Sequence, residues 1–194
     1  MILASRSPQR RAILEQLGVE FRVEEPDVDE LAEGDPRRVV QENALRKARA
    51  IGAPSGPGGT PPCDAPPELV LGADTAVVLE GHIFGKPAGE AEAEAFLTRL
   101  SGHAHEVMTG IAVREVDGAE ATDVAVTRVR FRPLDGRVLA WYLSSGEWRE
   151  RAGAYAIQGK GAALVEEIEG DYWNVVGLPV AALLRLVPDL LEGR

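Results

Sequence analysis

The sequence predicts an α/β fold, and three observations carry that expectation. Short strand-like apolar runs alternate with amphipathic helical stretches from the first residues onward. The run Leu69–Leu79 is apolar except at Asp74-Thr75, and a Gly-centred turn at Glu80-Gly81 leads back to Gly85-Lys86-Pro87. Residues 105–116 and 123–131 read as two further strands joined as an antiparallel hairpin near Asp117-Gly118.

Taken in order, Ile2–Ala4 is a first strand cut short by Ser5-Arg6-Ser7-Pro8. A helix follows over Arg10–Leu17 and stops at Gly18, with Ser7 as N-cap and Pro8 at its first position. Free amides at such a helix start favour a phosphate, and Arg10 and Arg11 reinforce the preference; Ser-Pro-x-Arg is also an ordinary capped helix start. Val19–Val23 alternates as a second strand and enters the acidic loop Glu24–Glu30. Most acidic runs are simply solvated, yet Asp27 and Asp29 at i, i+2 in extended chain point the same way and suit Mg²⁺.

Pro36–Ile51 is a helix whose inner face carries Val39, Val40 and Ala44 together with Asn43 and Lys47. Lys47 either snorkels past the core or projects into a cleft. Residues 53–67 form a Pro/Gly-rich surface loop within one α/β unit. In the stretch that follows, the strand stops at an acid, and a cation stands twelve positions later across the hairpin. That order places Asp74 and Lys86 at one edge of a sheet, where open α/β folds bind ligands, and suits an anionic ligand with a metal.

Glu90–Leu100 is an amphipathic helix ended by Ser101-Gly102. His103 and His105, with no cysteine or third histidine nearby, are read as hydrogen-bonding residues rather than metal ligands. Asp135–Ser144 is helical. In Ala152–Gly161 the small residues allow close approach to a flat ligand, and Gln158 offers both donor and acceptor, as reading a base edge requires; a glycine turn with an incidental glutamine fits equally. Ala162–Ile168 is a strand, and Pro179 opens a last helix carrying Leu183, Leu184, Leu186 and Val187.

Composition sets outer limits. The chain has 194 residues, 45% of them hydrophobic, enough to bury a core unaided. Its net charge of −10 argues against nucleic-acid and membrane-surface partners, so a site for an anion must be locally basic or use a metal. The start Met1-Ile2-Leu3-Ala4-Ser5 lacks a charged leader, and no apolar run approaches bilayer length; the expectation is a cytoplasmic protein. Cys63 is the single cysteine and can form no internal disulfide. Only Lys47, Lys86 and Lys160 among 21 basic residues are lysines, by compositional bias or because a compact ammonium is wanted there.

The motifs in sequence order are Leu3-Ala4-Ser5-Arg6-Ser7-Pro8-Gln9-Arg10-Arg11, Gly72-Ala73-Asp74-Thr75, Gly85-Lys86-Pro87, Leu100-Ser101-Gly102 with His105-x-Val107-x-Thr109-Gly110, Ala152-Gly153-Ala154-Tyr155-x-Ile157-Gln158-Gly159 and Val175-Val176-Gly177-Leu178-Pro179. Together they resemble the Maf-type nucleoside triphosphate pyrophosphatases across nearly the whole chain. The resemblance implies a single domain over residues 1–194 of two lobes, built around a long mixed, twisted β-sheet with helices on its faces and the active site in the cleft between lobes. It implies hydrolysis of a nucleoside triphosphate to monophosphate and pyrophosphate with a divalent metal, Mg²⁺ or Mn²⁺, and a homodimer.

By position, the resemblance makes Asp74 the proton acceptor for the attacking water and a metal ligand beside Asp29. Ser5, Arg10, Lys47 and Lys86 would hold the triphosphate. The Ala-Tyr-x-Ile-Gln-Gly and Gly-Ala-Asp-Thr segments are similar to the subgroup acting on dTTP and UTP, and then Thr75 and Gln158 touch the pyrimidine. Gln9 departs from that pattern, standing where the subgroup carries an arginine associated with substrate choice. The alternatives are a 7-methyl-GTP or purine-editing specificity, supported by Gln9, and a regulator of cell division that binds nucleotides without turnover.

Overall fold

The computed structural model describes residues 1–51, 68–115 and 118–192; the Pro/Gly-rich segment with Cys63 lies outside them. Seven strands form one mixed sheet in the order β2-β1-β3-β5-β6-β7, with β4 also paired to β3. They are β1 (Ile2–Ala4), β2 (Arg22–Glu24), β3 (Leu69–Leu79), β4 (His82–Phe84), β5 (Ala104–Glu115), β6 (Glu120–Phe131) and β7 (Val165–Glu169). The β2-β1-β3 pairings are parallel and the remainder antiparallel. The α/β class is therefore as the sequence predicts.

Six helices accompany the sheet in the described residues: α1 (Pro8–Gln16), α2 (Pro36–Ala50), α3 (Glu90–Leu100), α4 (Gly136–Leu143), α5 (Tyr172–Val176) and α6 (Val180–Leu186). Ser7 caps α1 as expected, its Oγ accepting from the Arg10 amide, and Asp35 caps α2 by accepting from Arg38 N at 3.0 Å. Leu3, Leu71, Ala73 and Ile111 pack with Ile13, Leu14, Ala182 and Leu183. Ile2, Val70 and Ala112 pack with Ala44 and Ala48 of α2. Successive residues of β3 thus serve opposite faces of the sheet.

Several boundaries differ from the sequence reading, among them the start of β6 at Glu120 rather than Asp123. The second strand begins at Arg22 rather than Val19, because Gly18 at φ +70° and the bond from Val19 N to Leu14 O spend these residues on closing α1. Residues Lys160–Leu164 form a 3-10 turn, and the strand starts only at Val165. Gly161 explains the tightness there, since a Cβ would stand 2.2 Å from Ala156 O. Asp74 does not stop its strand: β3 continues through it to Leu79.

That continuation creates a gap. β5 pairs with β3 from Leu69 to Val78 along one edge, so β1 and β4 must share the other. β1 covers Val70 to Gly72 and β4 covers Val77 to Leu79. Among the described residues, 73–76 have no strand beside them on that edge, and the functional motifs converge there.

Candidate active site

Two glycines bring α2 onto the sheet at the gap. A Cβ at Gly72 would meet Ala44 O at 2.1 Å, and one at Gly110 would meet Val40 O at 2.3 Å. Only glycine allows the helix backbone so close, and the approach lets short reaches from α2 touch the middle of β3. Asn43 and Lys47, one turn apart, both point at Asp74.

Asp74 Oδ1 lies 2.7 Å from Lys47 Nζ, and its Oδ2 accepts from Asn43 Nδ2 at 3.0 Å. Lys47 is nearly buried, with 9% of its side chain exposed. Its three N–H donors face three acceptors: Asp74, Ala73 O at 3.4 Å and Glu30 Oε1 at 2.8 Å. Lys47 therefore turns its ammonium to Asp74 rather than snorkelling to solvent, and it bridges two carboxylates with no donor left over. The trio of Glu30, Lys47 and Asp74 carries one more negative than positive charge. Partial burial pushes the Glu30 carboxyl upward, but the hydrogen bond and charge of Lys47, with Lys86 and Arg10 farther off, outweigh it and hold Glu30 below the usual carboxylate range.

The opposite face of β3 is organised by Arg10. Its Nε donates to Gly177 O at 2.8 Å, Nη1 to Ser5 Oγ at 3.1 Å and Ala73 O at 2.8 Å, and Nη2 to Thr75 Oγ1 at 3.1 Å. Gly177, at φ +125°, ends α5 in a conformation that turns its carbonyl to the guanidinium. Burial pulls the Arg10 pKa down and the charges of Asp74 and Glu30 oppose the fall. Four of its five donors are spent inside the fold, and one remains for a ligand. From Thr75 a line of neutral groups continues through Thr109 Oγ1, 2.9 Å away, to Asn174 O and, by Asn174 Nδ2, to Thr127 Oγ1.

Ser5 Oγ accepts from Arg10 and from Ser7 N, which leaves its own O–H to donate. Lys86 stands across the gap, 63% exposed, with its ammonium 3.2 Å from Glu150. Glu150 has φ +57°, unusual for a residue with a side chain, and Gly153 N donates to Gly85 O, so segment 150–154 is tied to the Lys86 loop. Gln9 accepts from Ser7 Oγ at 3.2 Å. Gln158 is exposed and makes no side-chain hydrogen bond among the described residues.

The structure thus brings together Ser5, Arg10, Lys47, Asp74, Thr75 and, at the rim, Lys86. Asp29 is apart: it is exposed, and only its main-chain carbonyl is engaged, by Arg46. The carboxylate at the trio is its neighbour Glu30. Strand alternation favours Asp27 and Asp29 in the sequence, but β2 ends at Glu24, so i, i+2 geometry does not apply beyond it. Asn43 carries no role in the sequence reading, though a polar side chain on a buried helix face is its visible signal. Thr109 and Asn174 have the same signal, polar residues inside apolar patterns.

The donor set fits a divalent cation. Glu30 and Asp74 offer hard carboxylate oxygens around one ammonium, and Mg²⁺ commonly takes one or two carboxylates and completes its shell with water and phosphate oxygens. No group of three or more His, Cys, Asp or Glu side chains suited to a metal occurs among the described residues, so an all-protein cage is not what is offered. His105 is buried, its Nε2 is 3.0 Å from Tyr155 Oη, and burial lowers its pKa to about 4. Among the described residues no helix is long and apolar enough to cross a membrane.

The family model for Maf-like proteins matches residues 1–190. The dTTP/UTP pyrophosphatase of Symbiobacterium thermophilum is 46% identical over 189 residues, covering 96% of this chain and 92% of that protein. The dTTP/UTP pyrophosphatase of an Anaeromyxobacter species is 45% identical, covering 96% and 87%. That of Dictyoglomus thermophilum is 40% identical, covering 98% and 95%.

Proposed function

The chain belongs to the Maf-like protein family, and from that premise we propose that it hydrolyses dTTP and UTP to the monophosphate and pyrophosphate at the gap in β3. The observation that carries the mechanism is the Asp74 carboxylate, only 14% exposed and fixed at both oxygens beside a sheet edge that β1 and β4 leave uncovered. Water is a poor nucleophile, and attack on the α-phosphorus needs an acceptor within hydrogen-bond reach. In the proposal Asp74 takes the water proton as the new P–O bond forms, the bond to the bridging oxygen breaks, and pyrophosphate leaves.

The donors still available set the division of labour. The Ser5 O–H, the remaining Arg10 N–H and the free donors of Lys86 hold phosphate oxygens. Lys47 contributes differently, as the cation that keeps Glu30 and Asp74 side by side. Those two carboxylates would hold Mg²⁺ or Mn²⁺, which supplies charge neutralisation for the phosphates. Asp29 is one residue away and belongs to the outer rim of that acidic loop.

For base choice we assign Gln158, whose exposed amide is unengaged among the described residues, to the pyrimidine edge. Thr75 acts through Arg10 in this proposal, because its hydroxyl is already shared between Arg10 and Thr109. Gln9 adjoins Arg10 through Ser7 Oγ, which donates to Gln9 and accepts from the Arg10 amide, and in this proposal it sets how far the site departs from a strict pyrimidine preference. A single two-lobed domain, cytoplasmic residence and a homodimer belong to the same proposal; one sheet receiving strands from Ile2 through Glu169 supports the first.

A panel of nucleoside triphosphates with Mg²⁺, scored for pyrophosphate and for phosphate, tests the reading. Pyrophosphate from dTTP and UTP ahead of the purine nucleotides is expected. Successive release of single phosphates would rule out attack at the α-phosphorus, and preference for a guanine nucleotide would move the specificity.

A further inference from the structure

We infer that Asn43 is a positioning residue for this chemistry: its amide locks Asp74 and the loop that carries Glu30 into one fixed arrangement. This rests on the proposed pyrophosphatase reading and extends it to a side chain that touches no substrate there.

Asn43 is 2% exposed, on the inner face of α2 one turn before Lys47. Its Oδ1 accepts from Leu31 N at 2.7 Å, and its Nδ2 donates to Leu31 O at 3.0 Å. That two-point pairing substitutes for a strand partner in a loop that has none among the described residues. The second Nδ2 hydrogen goes to Asp74 Oδ2 at 3.0 Å, so both donors of the amide are spent. One rigid group therefore ties the residue after Glu30 to the carboxylate of Asp74.

Without it, each carboxylate keeps only its bond to Lys47. Glu30 has a 52% exposed side chain on a loop with no regular structure. Beyond Lys47, the hold of α2 on that loop would then rest on the exposed bond from Arg46 to Asp29 O. Asp74 would keep its Oδ1 contact and be free to rotate about it. The neutrality of the amide also matters: a cationic donor at this place would cancel the surplus negative charge that suits the site to a divalent cation, and an aspartate could not donate at all. Groups that orient first contacts in this manner commonly change metal affinity or activity by about 10–100-fold when lost.

The test compares wild type with Asn43→Ala, which removes the amide without adding charge, and Asn43→Leu, close in volume and apolar. Four quantities are read: kcat and KM for dTTP with Mg²⁺, melting temperature, and Mn²⁺ affinity of the nucleotide-free protein by calorimetry. The expected result in a folded variant is a kcat lowered about 10–100-fold with KM little changed, and weakened Mn²⁺ binding. Either variant suffices should the other fail to fold. A merely structural role would lower the melting temperature alone. Wild-type kcat and Mn²⁺ affinity in a folded variant, or a raised KM with unchanged kcat, would overturn the inference. Should wild type release no pyrophosphate from any nucleoside triphosphate, the functional reading fails by itself; Mn²⁺ affinity then decides Asn43, unchanged binding overturning it and weakened binding sustaining it.

Discussion

Asp74 and Thr75 are adjacent in β3, yet they work on opposite faces of the sheet and in opposite electrostatic settings. On the α2 face, Asp74 stands with Lys47, Glu30 and Asn43 in a charged cluster where every Lys47 donor is taken and negative charge remains in excess. On the α1 face, Thr75 stands in a neutral line with Thr109 and Asn174, ended by the single Arg10 guanidinium, most of whose donors bind the fold. The contrast teaches that a cation's role follows from what its donors already hold. Lys47 organises two carboxylates, and Arg10 pins the end of β1, the middle of β3 and the end of α5 together with one donor to spare.

If the charged face carries the chemistry, breaking it should cost far more turnover than breaking the neutral one. Asp74→Asn keeps the shape but removes the proton acceptor, and its single amide oxygen can keep only one of the two contacts, to Lys47 or to Asn43. Its kcat should fall by about 10²–10⁴-fold, the usual worth of general base catalysis, with circular dichroism unchanged. Near-wild-type turnover would take Asp74 out of the mechanism.

Lys47→Met comes next. It leaves Asp74 and Glu30 facing each other without their shared cation, and removing one partner of a largely buried pair costs about 3 kcal/mol. Turnover should be lost as well. Millimolar Mg²⁺ should recover part of the melting temperature, since it can replace the missing charge between the carboxylates; no recovery would count against the cation site.

His105 lies on β5 two and four residues before Val107 and Thr109, on the side of the neutral face, and offers a control remote from the charged cluster. Burial lowers its pKa from 6.5 to about 4, so the unfolded chain takes up a proton that the folded protein refuses. Its contribution is intact above about pH 6.5 and lost as the pH falls toward 4, and the full shift is worth about 3 kcal/mol. Melting temperature followed from pH 7 to pH 4.5 should fall less steeply in His105→Gln than in wild type, with kcat at pH 7 retained.

Thr75→Val should have the smallest effect. It removes the acceptor of one Arg10 N–H and one contact of the buried Thr109 hydroxyl, which keeps its bond to Asn174 O, a loss of about 1–2 kcal/mol in stability. With the chemistry confined to the charged face, kcat changes little while the preference for dTTP over purine nucleotides narrows. A loss of kcat as large as in Asp74→Asn would abolish the distinction between the faces.

Most helices and the long strands are legible in the sequence because their signals are local: Ser7-Pro8, Asp35-Pro36, the Glu80-Gly81 turn and the apolar runs of β5 and β6. Motif resemblance groups Asp74, Lys47, Lys86, Ser5 and Arg10, and the fold gathers them around one gap. What the sequence leaves hidden depends on contacts between distant segments. Glu30 rather than Asp29 stands beside Lys47, and Asn43 grips the next residue of that irregular loop, a bond between positions 31 and 43 that no alternation encodes. The gap itself arises from unequal strand lengths across a sheet edge, and β1 and β4 contribute three residues each to an eleven-residue β3. The short helix α5 escapes the periodicity because only five residues hold it, set by the Asp171 cap and the turn at Gly177.

The measurement that reaches the central claim most directly is hydrolysis of dTTP in water enriched in heavy oxygen, with both products weighed by mass spectrometry. Attack by water at the α-phosphorus puts the label in dTMP and leaves the pyrophosphate unlabelled. Label in pyrophosphate, or label in inorganic phosphate released from the far end of the triphosphate, would contradict the account.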